Sequence, residues 1–166
     1  MAELTNLESK LGEVVGLAMA AQEAGQKVAR LAKEDGNDEL VSTLERMREQ
    51  AAETEERGTE VASSFEGKKT AILEEAREVK GKAQEMMKTY LDQAADTLDG
   101  FEFLTMAEAG EVGHWEILGT LNQRARNSQV SELVDWALPI QQQHLETVRA
   151  TSLKLAAEEN PDDPAE

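Results

Sequence analysis

Apolar residues recur every three or four positions through four long segments of the chain, a spacing typical of amphipathic helices. In the first segment these positions are Leu4, Leu7, Leu11, Val14, Ala18, Ala21, Gly25 and Val28. In the second they are Leu40, Leu44, Met47, Ala51, Thr54, Gly58, Val61 and Phe65. The third segment runs from about Phe101 to Ala125 and the fourth from about Ser131 to Ala157. Because strands favour aromatic and β-branched residues and only 4% of the chain is aromatic, the sequence predicts an all-α protein.

Residues that favour turns separate the segments at 34–38, 65–67, 98–100 and 126–128. The short first and last connections predict two antiparallel hairpins, joined by a crossover at about residues 66–99 that keeps a helical period of its own. A long crossover between two hairpins is the topology of a ferritin-like four-helix bundle. We therefore expect such a bundle over residues 1–157, followed by an acidic, disordered tail at 158–166.

The charge and the cysteine count limit the partners and cofactors. The chain carries 34 acidic and 17 basic residues, a net charge of −17, and no cysteine. This charge repels nucleic-acid phosphates, so we expect no nucleic-acid partner. We expect the acidic surface of the protein to serve solubility or tolerance of high salt. Any metal ion must be held by histidine and carboxylate side chains. The longest apolar run, Val14 to Ala21, is too short to span a membrane, and no signal sequence is recognisable, so we expect a cytoplasmic protein with no membrane association.

The two histidines of the chain each follow a carboxylate or an amide by three residues. Glu111 precedes His114 in the third segment, and Gln141 precedes His144 in the fourth. On a helix this spacing brings both members of a pair to neighbouring positions, as in the metal sites of helical bundles. Glu108, one turn before Glu111, is an additional candidate ligand.

Two short runs resemble a known family. Gly67 to Glu75 (GKKTAILEE), and Glu111 to Leu121 with its final Leu118-Gly-Thr-Leu121, are similar to the YciE/YciF-like branch of ferritin-like proteins. The similarity in segment length and order covers nearly the whole chain. The resemblance implies a four-helix ferritin-like fold, often dimeric, in bacterial proteins that are associated with stress responses and have no established reaction. Ferritin-like relatives more widely use a carboxylate-bridged di-iron centre for oxygen or iron chemistry.

A di-iron centre of this kind takes a Glu from each of two helices and a Glu-x-x-His from each of the other two. The third and fourth segments offer half of that set. The first and second segments place no ionisable residue at their inward positions, which are Val14, Ala18, Ala21, Met47, Ala51 and Thr54. Gln141 also lacks the charge with which a carboxylate bridges two irons. A complete di-iron centre is therefore the least favoured of three interpretations.

The second interpretation is a single iron, manganese or zinc ion held by Glu111, His114 and His144, with Gln141 or water completing the coordination. The third, which we favour, is a buried hydrogen-bonded network of the same side chains that binds no metal and fixes the helix register. The corresponding functions are a non-enzymatic, stress-associated bundle that acts by binding or interaction, and a metal-binding protein or iron-dependent oxidoreductase. For either we expect a homodimer, and the first allows an unidentified protein partner.

Overall fold

A computed structural model describes residues 2–93 and 95–165, and within them the chain forms five helices and no strand. The helices are α1 (Asn6–Glu34), α2 (Asp38–Ser63), α3 (Lys69–Tyr90), α4 (Thr97–Ala125) and α5 (Ser128–Glu158). The predicted all-α class is confirmed. Residues 159–165 are exposed and have no regular secondary structure. None of the five helices combines the length and the apolar character that crossing a membrane requires.

The helices alternate in direction along the bundle. Short connections fold α1 against α2 and α4 against α5. Between these hairpins α3 runs parallel to α1. Two contacts show this direction: Gly12 packs against Ile72 near one end of the pair, and Glu23 accepts a hydrogen bond from Gln84 (2.8 Å) near the other. At that second end Thr97, in the first turn of α4, hydrogen-bonds Asp35 just after α1. The crossover region thus contains a helix that returns the chain along the length of the bundle.

Two glycines allow α3 to lie unusually close to α1. A Cβ atom at Gly12 would be 2.7 Å from the backbone oxygen of Ile72, and one at Gly16 would lie still closer to that of Ala76. Both distances are too short for real side chains. Since Ala20 and Ala24 continue the same i, i+4 row, α1 presents a strip of small residues to α3.

One predicted break is wrong. The residues Leu98-Asp-Gly100 lie inside α4, which begins at Thr97 and not near Phe101. Asp96 is the N-cap: its side chain accepts a hydrogen bond from the Asp99 backbone (2.8 Å), and the Asp99 carboxylate accepts one from the Asp96 backbone (3.0 Å). This reciprocal capping box starts a helix where an Asp-Gly pair suggested a turn. Gly100 is needed for packing instead, because a Cβ atom there would lie 2.9 Å from Val28 Cγ1.

The core consists of two apolar clusters. The first lies near the start of α1, around Leu11, Trp115 and Leu118, and the second lies near its end, around Val28, Phe101 and Val148. Trp136 packs at the edge of the first cluster, with the Arg57 guanidinium 4.2 Å from its ring centre. Between the clusters, α4 and α5 bury polar side chains, while α1 and α2 contribute mainly small residues such as Ala18, Ala51 and Thr54.

Replacement of Gly16 by Ala tests the close contact between α1 and α3. The added methyl group must push α3 away, and we expect the free energy of unfolding in urea to fall by about 1–3 kcal/mol. Gly81→Ala is the matched control, because a Cβ atom at Gly81 meets nothing within 4 Å. There the higher helix propensity of Ala should raise the stability by up to about 1 kcal/mol. A Gly16→Ala protein as stable as the unmodified chain would contradict the proposed packing.

Candidate functional site

Four buried polar side chains meet between the two apolar clusters, and we call them the polar layer: Glu108, Glu111, Gln141 and His144. Each is at most 4% exposed. Glu108 and Glu111 are one turn apart on α4, and Gln141 and His144 are one turn apart on α5. The two motifs are therefore juxtaposed by the packing of one hairpin, α4 against α5, as their inward positions in the sequence predicted.

The Gln141 amide joins the two carboxyl groups. With its nitrogen turned toward them, it donates hydrogen bonds to Glu108 Oε2 (2.9 Å) and Glu111 Oε2 (3.2 Å). An amide nitrogen has two hydrogens, so both bonds can form at once. Glutamine at position 141 thus supplies donors that a glutamate would supply only when protonated.

His144 connects the polar layer to the other hairpin. Its Nε2 atom lies 2.7 Å from Gln50 Oε1 on α2. Because an amide oxygen only accepts, we assign the proton of the neutral imidazole to Nε2. Nδ1 then faces Glu108 Oε2 at 3.8 Å, which is longer than a hydrogen bond. Gln50 was not among the predicted site residues.

Burial shifts the pKa values of these groups toward their neutral forms. Loss of solvent raises the pKa of Glu108 to about 8. The pKa of Glu111 is raised well above its ordinary value, first by burial and then by the neighbouring Glu108 charge. Burial, with a smaller effect from the positive Arg46, lowers the pKa of His144 to about 4. Near neutral pH the polar layer is therefore largely uncharged.

His114 does not join the polar layer, so its prediction as an inward ligand beside Glu111 is wrong. Its side chain is 37% exposed, and Nδ1 lies 3.0 Å from Glu13 Oε2 and 3.3 Å from Lys10 Nζ, both on α1. Three residues of an α-helix turn through about 300°, so His114 lies about 60° from Glu111 around the axis. Glu108 lies about 60° from Glu111 on the other side, so His114 is about 120° from Glu108 around the axis, on the flank of α4.

The residues present do not fit the predicted metal centres. Within residues 2–93 and 95–165, no group of three or more histidine, aspartate and glutamate side chains is arranged to hold a metal ion. Glu111 and His144 are separated from His114, and Gln141 occupies Oε2 of both carboxyl groups. The one carboxylate among the buried residues of α1 and α2, Glu8, belongs to the capping box at the start of α1. Of the predicted hydrogen-bonded network, the Gln141–Glu111 contact is present and extends to Glu108, whereas His144 bonds Gln50 and His114 lies outside.

An apolar pocket of about 230 Å³ lies beside the polar layer, and we call it the side pocket. It occupies the gap between α3 and α4, which make few contacts with each other although both pack on α1. The apolar residues that form its wall include Ala20, Ala24, Ala83, Met87, Leu104 and Ala107. Glu108 and Glu111 also line the side pocket, so their carboxyl groups form a polar region on a largely apolar wall.

Exposed and half-exposed side chains mark the edges of the side pocket. Met86 on α3 and Met106 on α4 line it and are 47% and 41% exposed, so they form its mouth. His114 lies at the end nearest the start of α1. Near the opposite end Tyr90 stacks on Phe103 with ring centres 6.0 Å apart. The helical periodicity does not reveal this pocket, because the pocket depends on the separation of two helices that are not neighbours in a hairpin.

Comparison with models of known protein families, with curated proteins and with solved structures found no match to this chain. The function is therefore inferred from the residues themselves.

The buried carboxyl groups predict that stability falls as the pH rises from 6.5 to 8. In this range the folded protein keeps a proton on Glu108 that the unfolded chain has already released, so rising pH favours unfolding. The lowered pKa of His144 makes the stability rise with pH, but only below the ordinary histidine pKa of 6.5. The expected slope is up to about 1.4 kcal/mol per pH unit for each retained proton.

Urea unfolding of the unmodified chain and of Glu108→Gln, at several pH values in this range, measures that slope. Glutamine cannot ionise, so the variant should show a clearly shallower fall, with the remainder due to Glu111. Glu116→Gln, at an exposed position of the same helix, should keep the full slope. Equal slopes for all three proteins would show that Glu108 is not protonated in the folded state.

Proposed function

We propose that this protein is a non-enzymatic ferritin-like helical bundle that acts by binding a small, largely apolar molecule in the side pocket. The observation that carries the proposal is the position of two buried carboxyl groups on the wall of an apolar pocket. Ligand pockets commonly combine apolar walls with a few polar groups that fix the orientation of the ligand. The polar layer supplies those groups at Glu108 and Glu111.

The order and direction of the helices support the ferritin-like part of the proposal. Two hairpins joined by a crossover that returns along the bundle are the arrangement expected of such folds. The resemblance to the YciE/YciF-like branch adds an association with bacterial stress responses. The homodimer, the protein partner and the cytoplasmic location stay predictions from the sequence.

The absence of a suitable ligand set leads us to propose binding in preference to di-iron chemistry. Iron sites in bundles need several carboxylate anions close together to balance the charge of the metal ions. Here two carboxyl groups are buried, both are held near neutrality, and the nearest imidazole is bonded to an amide. A protein with this core is suited to holding an uncharged or singly charged organic group.

Binding can be tested with 2-phenylethanol as the probe, observed through ¹³C-labelled methionine methyl groups. Met86, Met87 and Met106 line the side pocket, whereas Met19 lies outside it and serves as an internal control. We expect saturable shifts at the three pocket methionines and none at Met19. Shifts at Met19 alone, or none at the pocket methionines, would contradict binding in the side pocket.

Ala83→Phe should block the pocket, because Ala83 forms part of its wall and is half-buried, so that a ring can be added without disrupting a fully packed core. We expect affinity for the probe to fall by at least about tenfold, which corresponds to about 1.4 kcal/mol. Thr70→Phe is the matched control, since it adds the same ring at an exposed position of α3 outside the pocket. Equal losses in both variants would point to a general effect of the added ring.

Metal analysis tests the alternative function. Protein loaded anaerobically with ferrous iron and then desalted should retain less than one iron per chain and consume no oxygen on exposure to air. Retention of two iron ions with oxygen consumption would overturn the proposal in favour of an oxidoreductase. Retention of one iron ion that His144→Ala abolishes would establish the single-metal interpretation instead.

A further inference from the structure

The buried polar groups that line the side pocket are carboxyl groups, while His114, which also lines it, is half-exposed at one end and contacts Glu13 of α1. Of the residues that line the pocket, Glu108 and Glu111 are the two that carry acidic groups, and they are 4% and 3% exposed. Most of the other lining residues are alanine, leucine, methionine and phenylalanine. A ligand that fills the pocket must therefore be apolar over most of its surface and polar at one end.

Each of these carboxyl groups has a free oxygen atom. Among residues 2–93 and 95–165, the amide of Gln141 is the N–H donor to both groups, and it reaches only their Oε2 atoms. No amide, amine or hydroxyl hydrogen of the described residues is donated to either Oε1. When they are ionised, the two carboxyl groups only accept hydrogen bonds, and a cationic donor bound at the free oxygens favours that ionised form over the neutral one.

Neither carboxyl group has a cationic partner in the protein. Within the described part of the chain, no lysine or arginine forms an ion pair with Glu108 or Glu111. The imidazole of His144, 3.8 Å from Glu108, is kept neutral by its burial. A positive charge brought by a ligand would thus meet two acceptors that no internal cation competes for. Hydrogen bonds between an ammonium and a carboxylate are among the stronger ones that proteins form.

The size of the pocket limits the apolar part of the ligand. Its volume is about 230 Å³, whereas an apolar cavity of about 150 Å³ is sufficient for benzene. One ring with a short chain fits this space, and a long acyl chain does not. The net charge of −17 also raises the local concentration of cations around the protein.

From these observations we infer that the side pocket selects a small hydrophobic amine, with its ammonium group bonded to Glu108 and Glu111 and its apolar body among the alanine and methionine side chains. This inference rests on the proposed function, since it names the class of ligand for the same pocket. Met86 and Met106 suit the entrance because their unbranched, polarizable side chains adapt to ligands of different shape.

The experiment compares 2-phenylethylamine with 2-phenylethanol, which has the same ring and chain but carries a hydroxyl group. Titrations at pH 7 follow the methyl signals of Met86, Met87 and Met106. We expect the amine to bind with a dissociation constant at least about tenfold lower than that of the alcohol. Glu108→Gln and Glu111→Gln should reduce this preference to within about threefold, and circular dichroism spectra that match that of the unmodified chain would show that both variants are folded.

Glu116→Gln is the matched control, because it removes the same charge from an exposed position on α4 and should keep the preference for the amine. Equal affinity for the two probes would overturn the inference and leave the proposed function standing. The inference is also overturned if both glutamine variants keep the full preference, because general attraction to the acidic surface then accounts for it. If neither probe binds, the inference and the proposed function both fail.

Discussion

The close packing of α3 on α1 is the contact on which the rest of the structure depends. Gly12 and Gly16 bring the two backbones together at one end of the bundle, because α1 adds no side chain to the contact at these positions. Beyond Gly16 the row continues with alanines, and the space between α3 and α4 opens into the side pocket. The position of the crossover helix, and with it one wall of the pocket, is thus set by residues that contribute almost no side chain.

The polar layer shows how a helical bundle can hold two buried carboxyl groups through a shared amide. Burial of charged carboxylates is costly unless they are paired, and a buried acid usually becomes neutral instead. Here one glutamine donates to both acids, and a second glutamine, Gln50, orients the imidazole from the opposite hairpin. The small residues Ala18 and Ala51 face this region from α1 and α2, so the bundle accommodates the larger polar side chains of α4 and α5.

Much of the fold could be predicted from the sequence, because helical periodicity depends only on residues close together in the chain. The inward positions of Glu111, Gln141 and His144 followed from that period. His114 did not, since a three-residue spacing leaves an angular error large enough to move a side chain from the interior to the flank.

The predicted turn at Asp99-Gly100 failed for a related reason: the same residues start a helix once Asp96 caps it. The role of Gln50 and the side pocket could not be predicted from the sequence, because both depend on distances between helices that are far apart along the chain. A half-buried glutamine beside an apolar stripe, four residues before Thr54, carries no signal that distinguishes it from a surface residue.

The two apolar clusters on either side of the polar layer differ in their tryptophan content, and therefore in what fluorescence can report. Both tryptophans, Trp115 and Trp136, belong to the first apolar cluster or its edge, whereas the second cluster contains Phe101 and Phe103 and no tryptophan. Trp115 is 1% exposed and its indole nitrogen has no hydrogen-bond partner among the described residues, so its emission should be that of an indole in a dry environment. Intrinsic tryptophan fluorescence therefore monitors one half of this core, while the half that shares several residues with the side pocket contributes nothing to that signal.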